Sequence, residues 1–305
     1  MTGEPSYLAV LRFCLERGQR RPTRCTLQST GEPIDALTVF APDHMVFDLR
    51  GGFPLLTTKK VNVRGVIAEL LWFLSGSSDV RDLQAMGSRI WDAWADEAGH
   101  VGPSYGHNWR RYGATDGDSG IDQIAELVAS IRAVHANPRD DRSRRLILTA
   151  LDPLTVDEAA LYPCHLLAQF DVWEGQLSCH LTQRSADLFL GVPFNVASYA
   201  LLTHLLARAT GLRPRKLTVA LGNAHLYTNH LEQAREQLTR APYVPPALSL
   251  PNMLFEMPNE HNEWSDPGTL PQFAWPDGRP LTVDSVEKCL RGYNHHPALP
   301  GEVAV

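Results

Sequence analysis

The chain has 305 residues, of which 44% are hydrophobic and 20% are charged, and its formal net charge is −6. This composition excludes a disordered or low-complexity chain, and the acidic balance argues against binding of bulk nucleic acid as the main function. No apolar run approaches the ~20 residues that a membrane-spanning helix needs, so we expect no membrane partner.

The predicted elements of the first half are helices at residues 6–18, 64–74 and 120–135 and strands at 36–40, 45–49 and 146–150. The helix at 64–74 has the strongest apolar periodicity, and Gly76 is expected to end it. A polar loop is predicted at 137–142.

In the second half, strands are predicted at residues 165–172 and 177–184, joined by a turn that contains Gly175. Helices follow at 194–209 and 229–238, the second with Asn229 and Glu232 at capping-box spacing. Residues 240–280 are rich in proline and polar residues, which predicts an irregular surface excursion. Because no linker divides the chain, we expect one α+β domain over residues 1–305.

The five cysteines are odd in number and widely spaced: Cys14, Cys25, Cys164, Cys179 and Cys289. The first ten residues are not typical of a signal peptide, so we expect reduced thiols in a cytoplasmic protein. No CxxC pair occurs, and His225 and His230 have no third ligand at metal-like spacing. We therefore predict no metal site.

Cys164 is the candidate nucleophile, because it follows Pro163 at the start of a predicted strand, where a side chain can face a cleft. The alternative for any lone cysteine is a small buried hydrophobe. His165 is adjacent, but neighbouring strand residues point to opposite faces, so we expect no Cys–His dyad. Nearby cations would favour the thiolate. The candidates are Arg144, Arg145 and Arg184, each of which could instead be a solvated surface charge.

Glu69 falls beside the apolar arc of its helix, next to Phe73 and Trp72. Partial burial there would raise its pKa and suit it to acid–base chemistry. The alternative is a carboxylate that extends to solvent at the helix boundary. Asn195 lies where the helix at 194–209 begins, and its structural interpretation is an N-cap.

A series of motifs runs from about residue 50 to the last residue. They are residues 53–60, 69–74, 90–94, 105–106, 143–145, 163–165, 183–185, 187, 189–195, 197–199, 225–227, 229–230 and 303–305. In identity and order these motifs resemble thymidylate synthase. The resemblance implies an α+β fold in which helices pack on a mixed sheet, and a homodimer formed sheet to sheet.

The resemblance also implies a pyrimidine nucleoside monophosphate as substrate and 5,10-methylenetetrahydrofolate as co-substrate. Cys164 resembles the nucleophile that adds to C6 of the base, and Asn195 the residue that hydrogen-bonds the base edge. Glu69 and Tyr105 resemble the residues that move protons. The residues that resemble nucleotide ligands are Arg184 and Ser185 for the phosphate, Arg144 and Arg145 for the partner subunit's phosphate, and His225 and Tyr227 for the ribose 3′-hydroxyl. Those that resemble the folate side are Ile90, Trp91, Trp94, Asp187, Leu190, Gly191, Phe194 and the terminal Val305.

The chemistry of these residue types agrees with the resemblance. C5 of uracil becomes nucleophilic when a thiolate adds at C6, and an amide can donate to the resulting enolate oxygen. An arginine fork suits a phosphate and also favours the thiolate. Asn195 can donate to a carbonyl and accept from an N–H, which matches the edge of uracil and predicts dUMP as the substrate.

Several positions depart from the family pattern. Residues 31–36 correspond to a family motif whose arginine binds phosphate, but they contain no arginine. Arg21 and Arg24 are the two candidates to replace that arginine. Tyr162 stands where a small residue is usual, and Asn223 where an aspartate is usual. In addition, Asn108 stands where the family has a glutamine, and residues 151–152 stand where it has a Trp-Asn pair.

Three functions therefore remain in competition. Reductive methylation is favoured by Trp91, Trp94 and Val305, which would exclude water. Hydroxymethylation of dUMP, dCMP, UMP or CMP, in base modification or nucleoside-antibiotic biosynthesis, is favoured by the departures at Tyr162 and Asn223. A nucleic-acid-binding protein that uses Arg110, Arg111 and residues 142–145 is the third, and the acidic balance argues against it.

Overall fold

A computed structural model of the chain describes residues 1–114, 119–256 and 270–305. Within these residues, seven strands form one mixed sheet: β1 (Gln19–Thr26), β2 (Pro33–Phe40), β3 (Met45–Asp48), β4 (Ile147–Thr149), β5 (His165–Trp173), β6 (Gln176–Asp187) and β7 (Arg213–Tyr227). The order is β1-β2-β7-β6-β5-β4, and β3 also pairs with β7. The β6–β7 pair is parallel and the others are antiparallel.

The helices of the described residues are α1 (Glu4–Arg17), α2 (Val63–Ser75), α3 (Val80–Ala85), α4 (Tyr105–Arg110), α5 (Gln123–Ala136), α6 (Gly191–Ala209), α7 (Leu231–Thr239) and α8 (Val283–Glu287). α6 is the crossover that a parallel β6–β7 pair requires. It packs on these two strands and on α2, and most of its residues are buried. The predicted mixed sheet packed by helices is thus confirmed, and no described helix is long and apolar enough to cross a membrane.

The β5–β6 hairpin places the candidate nucleophile beside a candidate cation. Its two turn residues, Glu174 and Gly175, both have positive φ, 49° and 68°, as a tight two-residue hairpin turn requires. The register pairs His165 with Gln183, and the Arg184 amide donates to the Cys164 carbonyl over 2.8 Å. The hairpin predicted from the sequence therefore fixes Cys164 and Arg184 on adjacent strands.

The helix that carries Glu69 follows its prediction closely. The Asn62 side chain caps the start of α2 by accepting from the Gly65 amide at 3.1 Å. Gly76 ends the helix in the left-handed conformation, φ 81°, with its amide bonded to the Phe73 carbonyl. Local capping therefore sets both ends of α2.

Other predictions need correction. β1 and β7 were not predicted as strands. α6 begins at Gly191, three residues before the predicted start, so Pro193 lies in its first turn. The capping box is wrong: α7 begins at Leu231, and the Asn229 side chain donates to the Glu302 carbonyl at 3.1 Å.

The predicted excursion at 240–280 is more ordered than expected. Of it, residues 257–269 lie outside the described residues. The described parts contain β8 (Ala247–Leu248), paired with β11 (Leu290–Arg291), and β9 (Leu254–Glu256), paired with β10 (Gln272–Ala274). Phe255 and Phe273 of the β9–β10 pair are buried, with ring centroids 4.8 Å apart. These described strands therefore join the core.

Candidate active site

Cys164 immediately precedes β5 and is half-buried. Its amide donates to the Tyr105 hydroxyl at 2.7 Å, which ties it to α4. From β6, Arg184 brings Nη2 to 3.9 Å from the Cys164 Sγ. Strand pairing and a helix thus hold the thiol in one place next to a cation.

Opposing effects act on the Cys164 thiol. Burial raises its pKa, and the charges of Arg184 and then Arg24 lower it. Arg24 lies on β1 and is one of the two arginines that the sequence offers in place of the missing phosphate-binding motif. Both are exposed, and Arg21 donates to the Gln19 side chain at 2.9 Å. The charge of Arg24 acts on the Cys164 thiol from β1.

A buried cluster of Glu69, Trp91, Tyr105, His165 and Tyr199 lies behind the thiol. Glu69 is 8% exposed and accepts from the Trp91 indole N–H at 2.8 Å. Burial raises the pKa of Glu69 to about 7, an effect that this hydrogen bond partly opposes. The predicted burial of Glu69 is confirmed, and its carboxyl can exchange a proton near neutral pH.

The His165 ring belongs to the buried cluster. It stacks on Tyr105 with centroids 3.9 Å apart, and its Nδ1 lies 3.0 Å from the Tyr199 hydroxyl. Burial lowers the pKa of His165 to about 3, so the ring is neutral. These contacts agree with the expectation that Cys164 and His165 form no dyad.

Asn195 lies inside α6 and is not its N-cap. The Gln183 side-chain N–H donates to Asn195 Oδ1 at 2.7 Å, which fixes the amide. The buried Gln183 Oε1 has no hydrogen-bond partner among the described residues. Apart from the bond from Gln183, the Asn195 amide has two N–H donors and one further lone pair on Oδ1. One donor and one acceptor side by side can pair with the edge of a nucleotide base. Gln183 was not predicted as a site residue, because its contact is between a strand and a helix.

His225 and Tyr227 alternate along β7 and so point to the same face. His225 Nδ1 lies 3.3 Å from Asn223 Oδ1, and the Tyr227 hydroxyl lies 3.3 Å from the Cys25 Sγ. Cys25 is a neighbour that sequence reasoning missed, since it depends on the unpredicted strand β1.

Arg144 and Arg145 lie at the end of an exposed 3₁₀ turn, and Arg145 pairs with Asp141 at 3.1 Å. Arg144 also borders a pocket of about 270 Å³ lined by residues of β5, β6 and β7. In the described part of the chain, neither arginine bonds to the Cys164 loop. Ser185, by contrast, follows Arg184 on β6 and is half-buried.

The predicted folate-side residues fall in two segments: Ile90, Trp91 and Trp94 lie at a 3₁₀ turn, and Leu190, Gly191 and Phe194 lie at the start of α6. Trp91 is buried, whereas Ile90, Trp94, Leu190, Gly191 and Phe194 are half-buried. Asp187 Oδ1 accepts from the amides of Phe189 and Leu190 and so shapes the turn into α6. Leu190, Gly191 and Phe194 are therefore grouped where the turn held by Asp187 enters α6.

The C-terminal residues are tied to the site. Val305 exchanges two backbone hydrogen bonds with Thr26 of β1, at 2.8 and 3.0 Å. The Glu302 carbonyl lies 2.9 Å from His230 Nε2. At Gly301, a Cβ would lie 2.8 Å from the same nitrogen, so a side chain there would force the tail away.

Two further observations bear on the alternatives. Arg110 is 1% exposed and pairs with Asp122 at 2.7 Å, so it is not a surface cation for nucleic acid. Among residues 1–114, 119–256 and 270–305, no group of three His, Cys, Asp or Glu side chains could hold a metal.

The chain thus combines a thiol with a guanidinium beside it, an amide oriented by a neighbouring side chain and a buried carboxyl, which are groups that covalent and acid–base catalysis use. The model of the thymidylate synthase family matches residues 5–305. The chain therefore belongs to the thymidylate synthase family. Like the family, it is a one-carbon transferase that acts on C5 of a pyrimidine nucleotide with methylenetetrahydrofolate.

Proposed function

We propose that the chain, as one catalytic domain, methylates dUMP to dTMP reductively through a covalent bond between Cys164 and C6 of the base. The observation that carries this proposal is the setting of the thiol. Its amide is held by Tyr105 at 2.7 Å, and Arg184 Nη2 lies 3.9 Å from Sγ. A buried thiol needs such a cation to reach the reactive thiolate.

Asn195 is the proposed base-reading residue. Addition of Sγ to C6 moves an electron pair toward O4, and the Asn195 amide donates to that oxygen. Because Gln183 holds Asn195 Oδ1 at 2.7 Å, the amide is oriented before the substrate binds. Its second lone pair accepts from N3–H of uracil.

Glu69 is the proposed proton-relay group. Its pKa of about 7 lets the same carboxyl give up and take back a proton at working pH. The C5 proton must leave before Sγ departs from C6, and Tyr105 and Glu69 lie on the buried side of the thiol. When bound, methylenetetrahydrofolate supplies the one-carbon unit and the hydride.

The phosphate and the sugar are assigned to half-buried residues of β6 and β7. Arg184 and Ser185 bind the phosphate within one protomer, and His225 and Tyr227 bind the 3′-hydroxyl. In a homodimer, Arg144 and Arg145 reach the partner's phosphate. Their exposed turn supports this role, as do the exposed Gln169 and Asp171 on the nearby face of β5.

Hydroxymethylation is the second candidate, because Tyr162 and Asn223 alter the nucleotide side of the site. Methylation is favoured by the exclusion of water: Trp91 is buried, and Val305 is bonded to β1. In the second reaction, water would capture the one-carbon unit in place of hydride.

Product analysis by mass spectrometry distinguishes the two reactions. The protein is incubated with methylenetetrahydrofolate and each of dUMP, dCMP, UMP and CMP. We expect a methylated product from dUMP, with Cys164→Ala as the inactive control. A product heavier by one oxygen atom, or faster turnover of a cytosine nucleotide, would overturn the proposal.

A further inference from the structure

The residue two positions before the nucleophile presents an aromatic ring at the surface. Tyr162 is 38% exposed. The central carbon of the Arg184 guanidinium lies 4.8 Å from the centroid of its ring. This distance is within the range in which a cation is attracted to an aromatic face.

The same guanidinium is held along its edge by the backbone of this loop. Arg184 Nε donates to the Pro163 carbonyl at 2.8 Å, and Nη2 donates to the Tyr162 carbonyl at 2.5 Å. Nη2 is also the nitrogen 3.9 Å from the Cys164 Sγ. The backbone therefore fixes two nitrogens of the guanidinium, and the guanidinium carbon lies over the Tyr162 ring.

Without the ring, this long side chain would lose a contact that restricts its rotamers. Movement of the guanidinium away from Sγ would weaken its attraction to the thiolate, since that attraction falls with distance. We propose that Tyr162 is a positioning residue whose ring holds the Arg184 guanidinium against the Cys164 thiol. This inference deepens the proposed function and rests on Cys164 as its nucleophile.

The test is the pH dependence of Cys164 alkylation by iodoacetamide, followed on the Cys164 peptide by mass spectrometry. Tyr162→Ala is expected to raise the apparent thiol pKa by about half a pH unit, a roughly threefold lower thiolate fraction at neutral pH. Tyr162→Phe keeps the ring and should match the unmodified protein. Tyr162→Leu fills the loop without an aromatic face and should behave like Tyr162→Ala.

Trp173→Ala is the matched control, because Trp173 is also an exposed aromatic residue, 58% exposed, but ends β5 at the turn. It lies about 26 Å along the strand from His165, so its alkylation profile should not change. Unchanged profiles in both Tyr162→Ala and Tyr162→Leu would overturn the inference, as would a Tyr162→Phe profile equal to theirs. Because alkylation needs neither nucleotide nor folate, a failure of the proposed reaction would leave this result readable.

Discussion

Glu69 and Arg145 serve the same proposed reaction in opposite surroundings. Glu69 is 8% exposed and bonded to Trp91, whereas the Arg145 side chain is 70% exposed and paired with an equally exposed Asp141. A surface pair of this kind contributes little free energy and is readily exchanged for another anion. The buried cluster is thus assembled by folding of one chain. The second region, called the arginine face, comprises Arg24, Arg144, Arg145 and Arg184, and phosphate is the ligand proposed for it.

The largest expected effect comes from the thiol between these two regions. Cys164→Ala should abolish turnover while the circular dichroism spectrum stays unchanged, since the side chain is small and half-buried. Cys289→Ala, at another half-buried cysteine, is the control and should remain active. Substantial turnover by Cys164→Ala would remove the covalent step from the mechanism.

Within the buried cluster, Glu69→Gln should lower kcat by ~10²–10⁴, the range typical of acid–base catalysis. Nucleotide binding, measured by calorimetry, should change little, because the arginine face is untouched. Glu236→Gln removes an exposed carboxylate on α7 and is the control. Weaker binding with unchanged kcat would instead assign Glu69 to substrate binding.

The sequence predicts the buried cluster better than the arginine face, and the reason is physical. The helix around Glu69 is set by local periodicity and caps, so both its position and its burial follow from neighbouring residues. Arg24 acts on Cys164 only because β1 joins the sheet, and the polar β1 lacks the alternation that predicts a strand. The Gln183–Asn195 contact likewise needs the tertiary structure, since strand and helix meet there.

The next prediction concerns Asn195, the proposed base-reading residue. Asn195→Asp should shift the substrate preference of the enzyme from uracil toward cytosine nucleotides. A protonated carboxyl can donate to the bare N3 of cytosine and accept from its amino group, whereas uracil would leave a polar group unpaired. We expect the ratio of kcat/KM for dUMP over dCMP to fall on the order of 10²-fold. Asn137→Asp makes the same change at an exposed residue that follows α5 and is the control. An unchanged ratio would contradict the assigned base contact.

The arginine face, unlike the buried cluster, is proposed to be shared between the two subunits of a homodimer, and subunit mixing tests this. If Arg145 completes the partner's site, a mixture of inactive Cys164→Ala and inactive Arg145→Ala proteins should recover part of the activity after subunit exchange. Two Cys164 variants, Ala and Ser, cannot complement each other and form the control. A fully active monomer in sedimentation at assay concentration would refute the shared site.

The last expected effect is on stability, and its sign follows from the raised pKa of Glu69. In the folded state this carboxyl keeps its proton up to about pH 7, whereas in the unfolded chain it releases the proton near its ordinary pKa of 4.5. The folded state therefore binds more protons between these pH values. The contribution of the Glu69 carboxyl to the free energy of unfolding is therefore fully present below pH 4.5. This contribution is lost as the pH rises toward 7.

Glu69→Gln cannot titrate, so it isolates this contribution. The difference in unfolding free energy, unmodified protein minus Glu69→Gln, should fall by about 3 kcal/mol from pH 4.5 to pH 7. Urea denaturation at a series of pH values measures it, and subtraction cancels the other titrating groups. A flat difference for Glu69→Gln would mean that its carboxyl ionises as an ordinary surface residue does, and the buried cluster would lose its proton-relay group.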